Sequence, residues 1–94
     1  MSDWNFFTNH GHVIFLLSLK KDVTLREVAL EVGITERATQ KIVSDLASGG
    51  YIKIKKEGRQ NRYTVVGRKK LKHPIEKNSK LEDLIKLIGE NRPD

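Results

Sequence analysis

Arg37, Gln40 and Lys41 stand three and four residues apart, the spacing that brings side chains together on one face of an α-helix. Their chemistry matches the edges of nucleic-acid bases. A guanidinium fork pairs with O6 and N7 of guanine, a carboxamide with N6 and N7 of adenine, and an ammonium with guanine or with phosphate. Ser44 continues the same face with a hydroxyl that both donates and accepts. Further along, Lys53, Lys55, Lys56, Arg59, Arg62, Arg68, Lys69, Lys70 and Lys72 meet only one acid, Glu57, within residues 53–72. Such a stretch concentrates a polyanion, either a nucleic acid or an acidic membrane surface. By charge alone, a solvated lysine-rich face reads the same way.

Other chemistries find little material. His10 and His12 are two residues apart and diverge on a helix, His73 is remote, and there is no cysteine, so neither a metal site nor any other cofactor is expected. No nucleophile–base–acid set stands out, and Gly49-Gly50 lacks the lysine of a phosphate-binding loop. Catalysis is therefore not expected.

The 94 residues, 37% hydrophobic and 32% charged, suit one folded domain with a modest core. The net charge of +6 is uneven. Residues 1–47 hold five Lys/Arg against six Asp/Glu, whereas residues 48–94 hold thirteen against six. The longest apolar run, Val13 to Leu17, is too short to cross a bilayer, and Met1-Ser2-Asp3-Trp4 lacks the basic start of a secretory leader. A cytoplasmic location and no membrane partner are the expectations.

The elements that must hold these side chains can be traced in order. A first helix is expected from about Thr8 to Lys20, capped by Thr8, with Val13, Leu16 and Leu17 at helical spacing before the break at Lys20-Lys21-Asp22. Trp4, Phe6 and Phe7 precede it and would cover the core or a partner. Thr24 and Glu27 have the spacing of a capping box, Val23 and Val28 that of a hydrophobic staple, and Gly33 ends a second helix. Thr35 then caps a third helix, which turns Thr39, Ile42, Val43 and Leu46 inward and leaves Glu36, Arg37, Gln40, Lys41 and Ser44 outside, stopping at Ser48-Gly49-Gly50.

Two alternating segments, 51–55 and 63–66, read as strands of a hairpin, with Ile52, Ile54, Tyr63 and Val65 inward and a basic tip. Residues 67–78 read as a basic linker in which His73-Pro74 prevents a regular helix. Ser79 and Glu82 then suggest a second capping box, opening a helix with an apolar stripe of Leu81, Leu84, Ile85 and Ile88 that ends at Gly89. The fold class expected is mainly α with a small antiparallel β-hairpin, a winged helix-turn-helix plus a C-terminal helix. Its parts are a domain at 1–66, a linker at 67–78 and a helix at 79–89.

The run Thr24-Leu25-Arg26-Glu27-Val28-Ala29, then Gly33-Ile34-Thr35-Glu36-Arg37-Ala38, Asp45-Leu46 and Gly50-Tyr51-Ile52, resembles the winged helix-turn-helix of MarR-like transcriptional regulators over residues 8–66. The resemblance implies a recognition helix at 35–48, a wing at 51–66 and a role in binding double-stranded DNA to regulate transcription. It departs from the larger members in lacking their extra terminal helices, which support a dimer and often an effector pocket. The wing tip also reads Glu57-Gly58-Arg59 where many members have an aspartate before the arginine. No small-molecule effector is expected.

The residues expected to meet DNA are Thr35, Glu36, Arg37, Gln40, Lys41 and Ser44 on the helix, with Lys55, Lys56, Arg59, Asn61 and Arg62 on the wing. A homodimer through the C-terminal stripe would suit a two-fold site, the other use of that stripe being to pack on its own core. Two further readings share the fold: a protein-interaction module of a transcription or chromatin complex, and a winged-helix RNA binder.

Overall fold

The computed structural model describes residues 3–20 and 22–92 and runs α1 (Asn9–Leu19), α2 (Leu25–Val32), α3 (Glu36–Ser48), β1 (Ile52–Glu57), β2 (Gln60–Val65) and α4 (Leu81–Glu90). This is the expected class, mainly α with one two-stranded antiparallel hairpin. Lys21 lies outside the described residues, so the break after α1 is seen only at Lys20 and Asp22.

A helix that is apolar all round must be covered all round. In α1 five consecutive residues, Val13 to Leu17, are buried, and α2, α3, β2 and α4 all pack against this helix. The core gathers these five with Val28, Ile42, Val43, Leu46, Tyr51, Ile52 and Leu81. Thr8 occupies the N-cap of α1, although its side chain makes no capping bond there.

The start of α2 is fixed locally. The Thr24 hydroxyl accepts the Glu27 amide at 3.1 Å, and the Glu27 carboxylate accepts the Thr24 amide at 3.2 Å. Gly33 ends the helix at φ 86, a left-handed conformation that costs an L side chain roughly 1–2 kcal/mol. Two residues later the Thr35 hydroxyl accepts the Ala38 amide at 3.0 Å and opens α3. The turn between the helices is therefore short and closed by hydrogen bonds at both ends. Thr39, fully buried under α3, donates its hydroxyl to the Thr35 carbonyl at 3.0 Å.

The hairpin is longer and tighter than its alternation suggested. Its register runs from Ile52 opposite Val65 to Glu57 opposite Gln60, leaving Gly58-Arg59 as a two-residue turn. Gly58 supplies the positive φ, 61°, that such a turn needs at its first central position. Ile54, expected inward, is 43% exposed. Ile52 joins the core and Tyr63 and Val65 pack against it, as expected; the outer part of the hairpin projects beyond.

Residues 67–80 form a loop whose first part, Gly67 to Lys70, is tied to Tyr51 and to the start of α4, and which closes on itself through Leu71 and Ser79. The amides of Leu81 and Glu82 donate to the carbonyls of Lys69 (2.9 Å) and Gly67 (2.7 Å), and that of Leu71 to Ser79 (3.0 Å). The Tyr51 hydroxyl donates to the Lys70 carbonyl at 3.0 Å. These ties also set the start of α4. The box expected at Ser79 and Glu82 does not form: Lys80 is the N-cap, its amide donating to the Asp83 carboxylate at 3.2 Å. The stripe of α4 lies on the chain's own core, with Leu81 3% exposed and Leu84, Ile85 and Ile88 half-buried against it.

Candidate nucleic-acid interface

Because α3 buries Thr39, Ile42, Val43 and Leu46, helical geometry turns Glu36, Arg37, Gln40, Lys41 and Ser44 outward, and all five are exposed. Arg37, Gln40 and Ser44 make no side-chain hydrogen bond or ion pair to other described residues, so their full donor and acceptor sets face solvent. Thr35 is spent differently, its hydroxyl committed to the helix cap. Glu36 sits in the first turn, where a carboxylate complements the positive end of the helix dipole.

Lys41 is engaged from one side. Its ammonium meets Asp45 at 2.6 Å, and the other oxygen of that carboxylate meets Nε2 of His10 at 2.9 Å. The Lys41 hydrogen bond, followed by that of His10, holds the Asp45 carboxyl below the usual aspartate range. The other histidines are also used locally: His12 bonds Asn9 at 3.1 Å, and the ring of His73 accepts the Ile75 amide at 3.1 Å.

On the hairpin, strand alternation splits the expected contacts between two faces. Lys55 lies opposite Arg62 on one, with Lys53 and Glu57; Lys56 lies opposite Asn61 on the other. Lys55, Lys56, Arg59 and Asn61 are exposed. Arg62 is held down: its Nε meets Glu57 at 2.9 Å, and its Nη2 meets Asp22 at 3.3 Å, in the loop before α2. The guanidinium thus braces the hairpin against the helical body.

The wider pattern of pairing is informative. Outside the stretch from Lys53 to Lys80, Lys20 and Arg92 share Glu31, Lys41 has Asp45, and Lys86 lies 4.0 Å from Glu90. Within it, Arg62 alone among the described lysines and arginines forms a salt bridge. Sequence reasoning missed Asp22, Glu57, His10 and Asp45 as partners. Two of these pairs had a readable signal: Lys41 and Asp45 stand four apart on one helix, and Glu57 faces Arg62 once a two-residue turn at Gly58-Arg59 is placed; His10 to Asp45 and Asp22 to Arg62 join distant parts of the chain.

No family model, curated protein or solved structure matches the chain. Among the described residues no helix is long and apolar enough to cross a membrane.

Proposed function

We propose that the protein is a sequence-specific, double-stranded-DNA-binding transcriptional regulator of the MarR-like winged-helix type. One observation carries the reading: the outward face of α3 offers Arg37, Gln40 and Ser44 without partners among the described residues, on a helix joined to α2 by a short capped turn. A rigid element with free base-reading groups is what direct readout in a major groove requires. The hairpin adds Lys55, Lys56 and Arg59, exposed cations without carboxylate partners among the described residues, for the phosphate backbone or an adjacent minor groove. Phosphate contacts of this kind supply affinity, and α3 supplies choice of sequence.

The reading brings a cytoplasmic location with it, since that is where such a regulator meets its DNA. It also includes a homodimer. With most of the α4 stripe on its own core, the apolar side chains left to a twin on this side are Leu87, 55% exposed, and Leu19.

Selection of bound fragments from a random duplex library with purified protein tests the reading. Enrichment of a motif with two-fold symmetry is expected. Recovery of fragments without any shared motif would sink the sequence-specific reading, and preference for structured RNA over duplex would replace it with the RNA-binding one.

A further inference from the structure

The loop of residues 67–80 carries Arg68, Lys69, Lys70, Lys72, Lys77 and Lys80 against the single acid Glu76. All six cations are exposed, and none forms a salt bridge with a described residue. The loop is nonetheless held, by backbone bonds to residues 66, 81 and 82, by the internal bond from the Leu71 amide to Ser79 and by the Tyr51 hydroxyl. Fixing so many like charges side by side is unfavourable unless something of opposite sign is brought to them.

Two of these ammonium groups have a defined place. A methyl group on Gly49 would lie 3.3 Å from Nζ of Lys72, and one on Gly50 would lie 3.5 Å from Nζ of Lys69. Both ammoniums therefore rest on the glycine turn that ends α3, and Lys72 also lies 5.8 Å above the Tyr51 ring. A helix C-terminus carries roughly half an elementary negative charge. Lys69 and Lys72 already exceed it, and Arg68, Lys70, Lys77 and Lys80 are surplus to that role.

We infer that this loop is a second phosphate-binding surface, which grips the duplex backbone beside the C-terminal end of α3. The inference rests on the DNA-binding reading of α3. Its geometric basis is length. The thirteen residues of α3 make a straight rod of about 20 Å, whereas the major groove that admits a helix winds around the duplex. A straight helix seated on base edges by Arg37 and Gln40, near its start, rises from the groove floor along its length and brings its last turn up beside the phosphates. Lys69 and Lys72 stand at that last turn, with the remaining loop cations beside them.

The test is the Lys69→Gln, Lys72→Gln double variant, assayed on a random-sequence duplex a few helical turns long across a salt series. Each lost phosphate contact lowers the slope of log affinity against log salt by about 0.9. A slope flatter by roughly one to two units, with the melting temperature kept, is the expected result. Should the double variant fail to fold, Arg68→Gln with Lys70→Gln replaces it, because neither of those side chains bonds to another described residue.

An unchanged slope in a folded variant would overturn the inference while leaving the DNA reading intact. So would a lowered melting temperature with unchanged binding, since the loop would then serve only the end of α3. Wild-type protein that binds no duplex at low salt would overturn the DNA reading itself, and with it the loop's ligand. Arg37→Ala, run in parallel, tells the two failures apart, because its loss of preferred-site binding is independent of the loop.

Discussion

The Lys41 ammonium and the Asp45 carboxylate meet at 2.6 Å, one turn apart on the outward face of α3. The contact draws a cation away from whatever approaches that face and leaves an acid in its place. Asp45→Asn should therefore tighten binding to any duplex and steepen the salt dependence by about 0.9, the increment of one added phosphate contact. The same variant tests the pH behaviour. Asp45 has a lowered folded-state pKa, so its stabilising contribution is present above the ordinary aspartate value of about 3.9 and is lost as pH falls through the folded value. Thermal melts of wild type and variant should differ at neutral pH and converge in acid; a constant gap would refute this.

Base preference should depend on Arg37 and Gln40. Each is exposed on α3 and unpaired among the described residues, and a good bidentate base contact carries about 1–3 kcal/mol of discrimination. Arg37→Ala and Gln40→Ala should each blur a different position of the selected motif while leaving the melting temperature nearly unchanged. A motif recovered at full strength from either variant would remove that residue from the list of base readers.

Arg59 and Arg62 should part company, although both belong to the wing. Arg59 sits exposed in the two-residue turn, so Arg59→Ala should flatten the salt slope by about 0.9 with no loss of stability. Arg62 is tied to Glu57 and Asp22, and its exposed pairs are worth about 0–1 kcal/mol in stability. Arg62→Ala should lower the melting temperature slightly and change binding less than Arg59→Ala does. Equal losses of affinity in both would show that Arg62 leaves its carboxylates for phosphate.

The C-terminal helix offers a sharp contrast between neighbours. Leu84 and Ile88 pack on the core, so Leu84→Asp with Ile88→Asp should cost about 3 kcal/mol or more, read by chemical denaturation. Leu87 points outward at 55% exposure, and Leu87→Asp should leave the fold intact. If the proposed homodimer uses this outer edge, sedimentation equilibrium should show wild-type dimer and Leu87→Asp monomer. Equal masses would exclude that pairing surface.

What could be read from the chain beforehand was what is encoded locally. The Thr24–Glu27 box, the left-handed Gly33, the Thr35 cap and the two faces of α3 depend on residues no more than a turn or two apart, and each appears as expected. The ends of the hairpin were blurred because Lys56, Glu57, Gln60, Asn61 and Arg62 carry no strand-like pattern; the ladder and Gly58 bring them into pairing. At the start of α4 two N-caps compete, each with an acid three residues on to accept the cap amide, Ser79 with Glu82 and Lys80 with Asp83. The bond from the Glu82 amide to Gly67 decides between them, and nothing local announces it. The ordering of residues 67–80 was hidden for the same reason, since backbone groups and the Tyr51 hydroxyl do the tying.

The unbalanced cations between Lys53 and Lys80 also make the medium part of the molecule. Like charges on a folded surface push against compaction, and dissolved ions damp that push over a screening length of about 10 Å at 0.1 M salt. Ionic strength therefore pulls on two properties in opposite directions. Raising it relieves the folded chain of its own repulsion, and at the same time weakens its grip on any polyanion. Dilute buffer leaves the free protein least settled and most adhesive. A bound polyanion would relieve the same repulsion from within the complex, so occupancy and folding reinforce each other most strongly where salt is scarce.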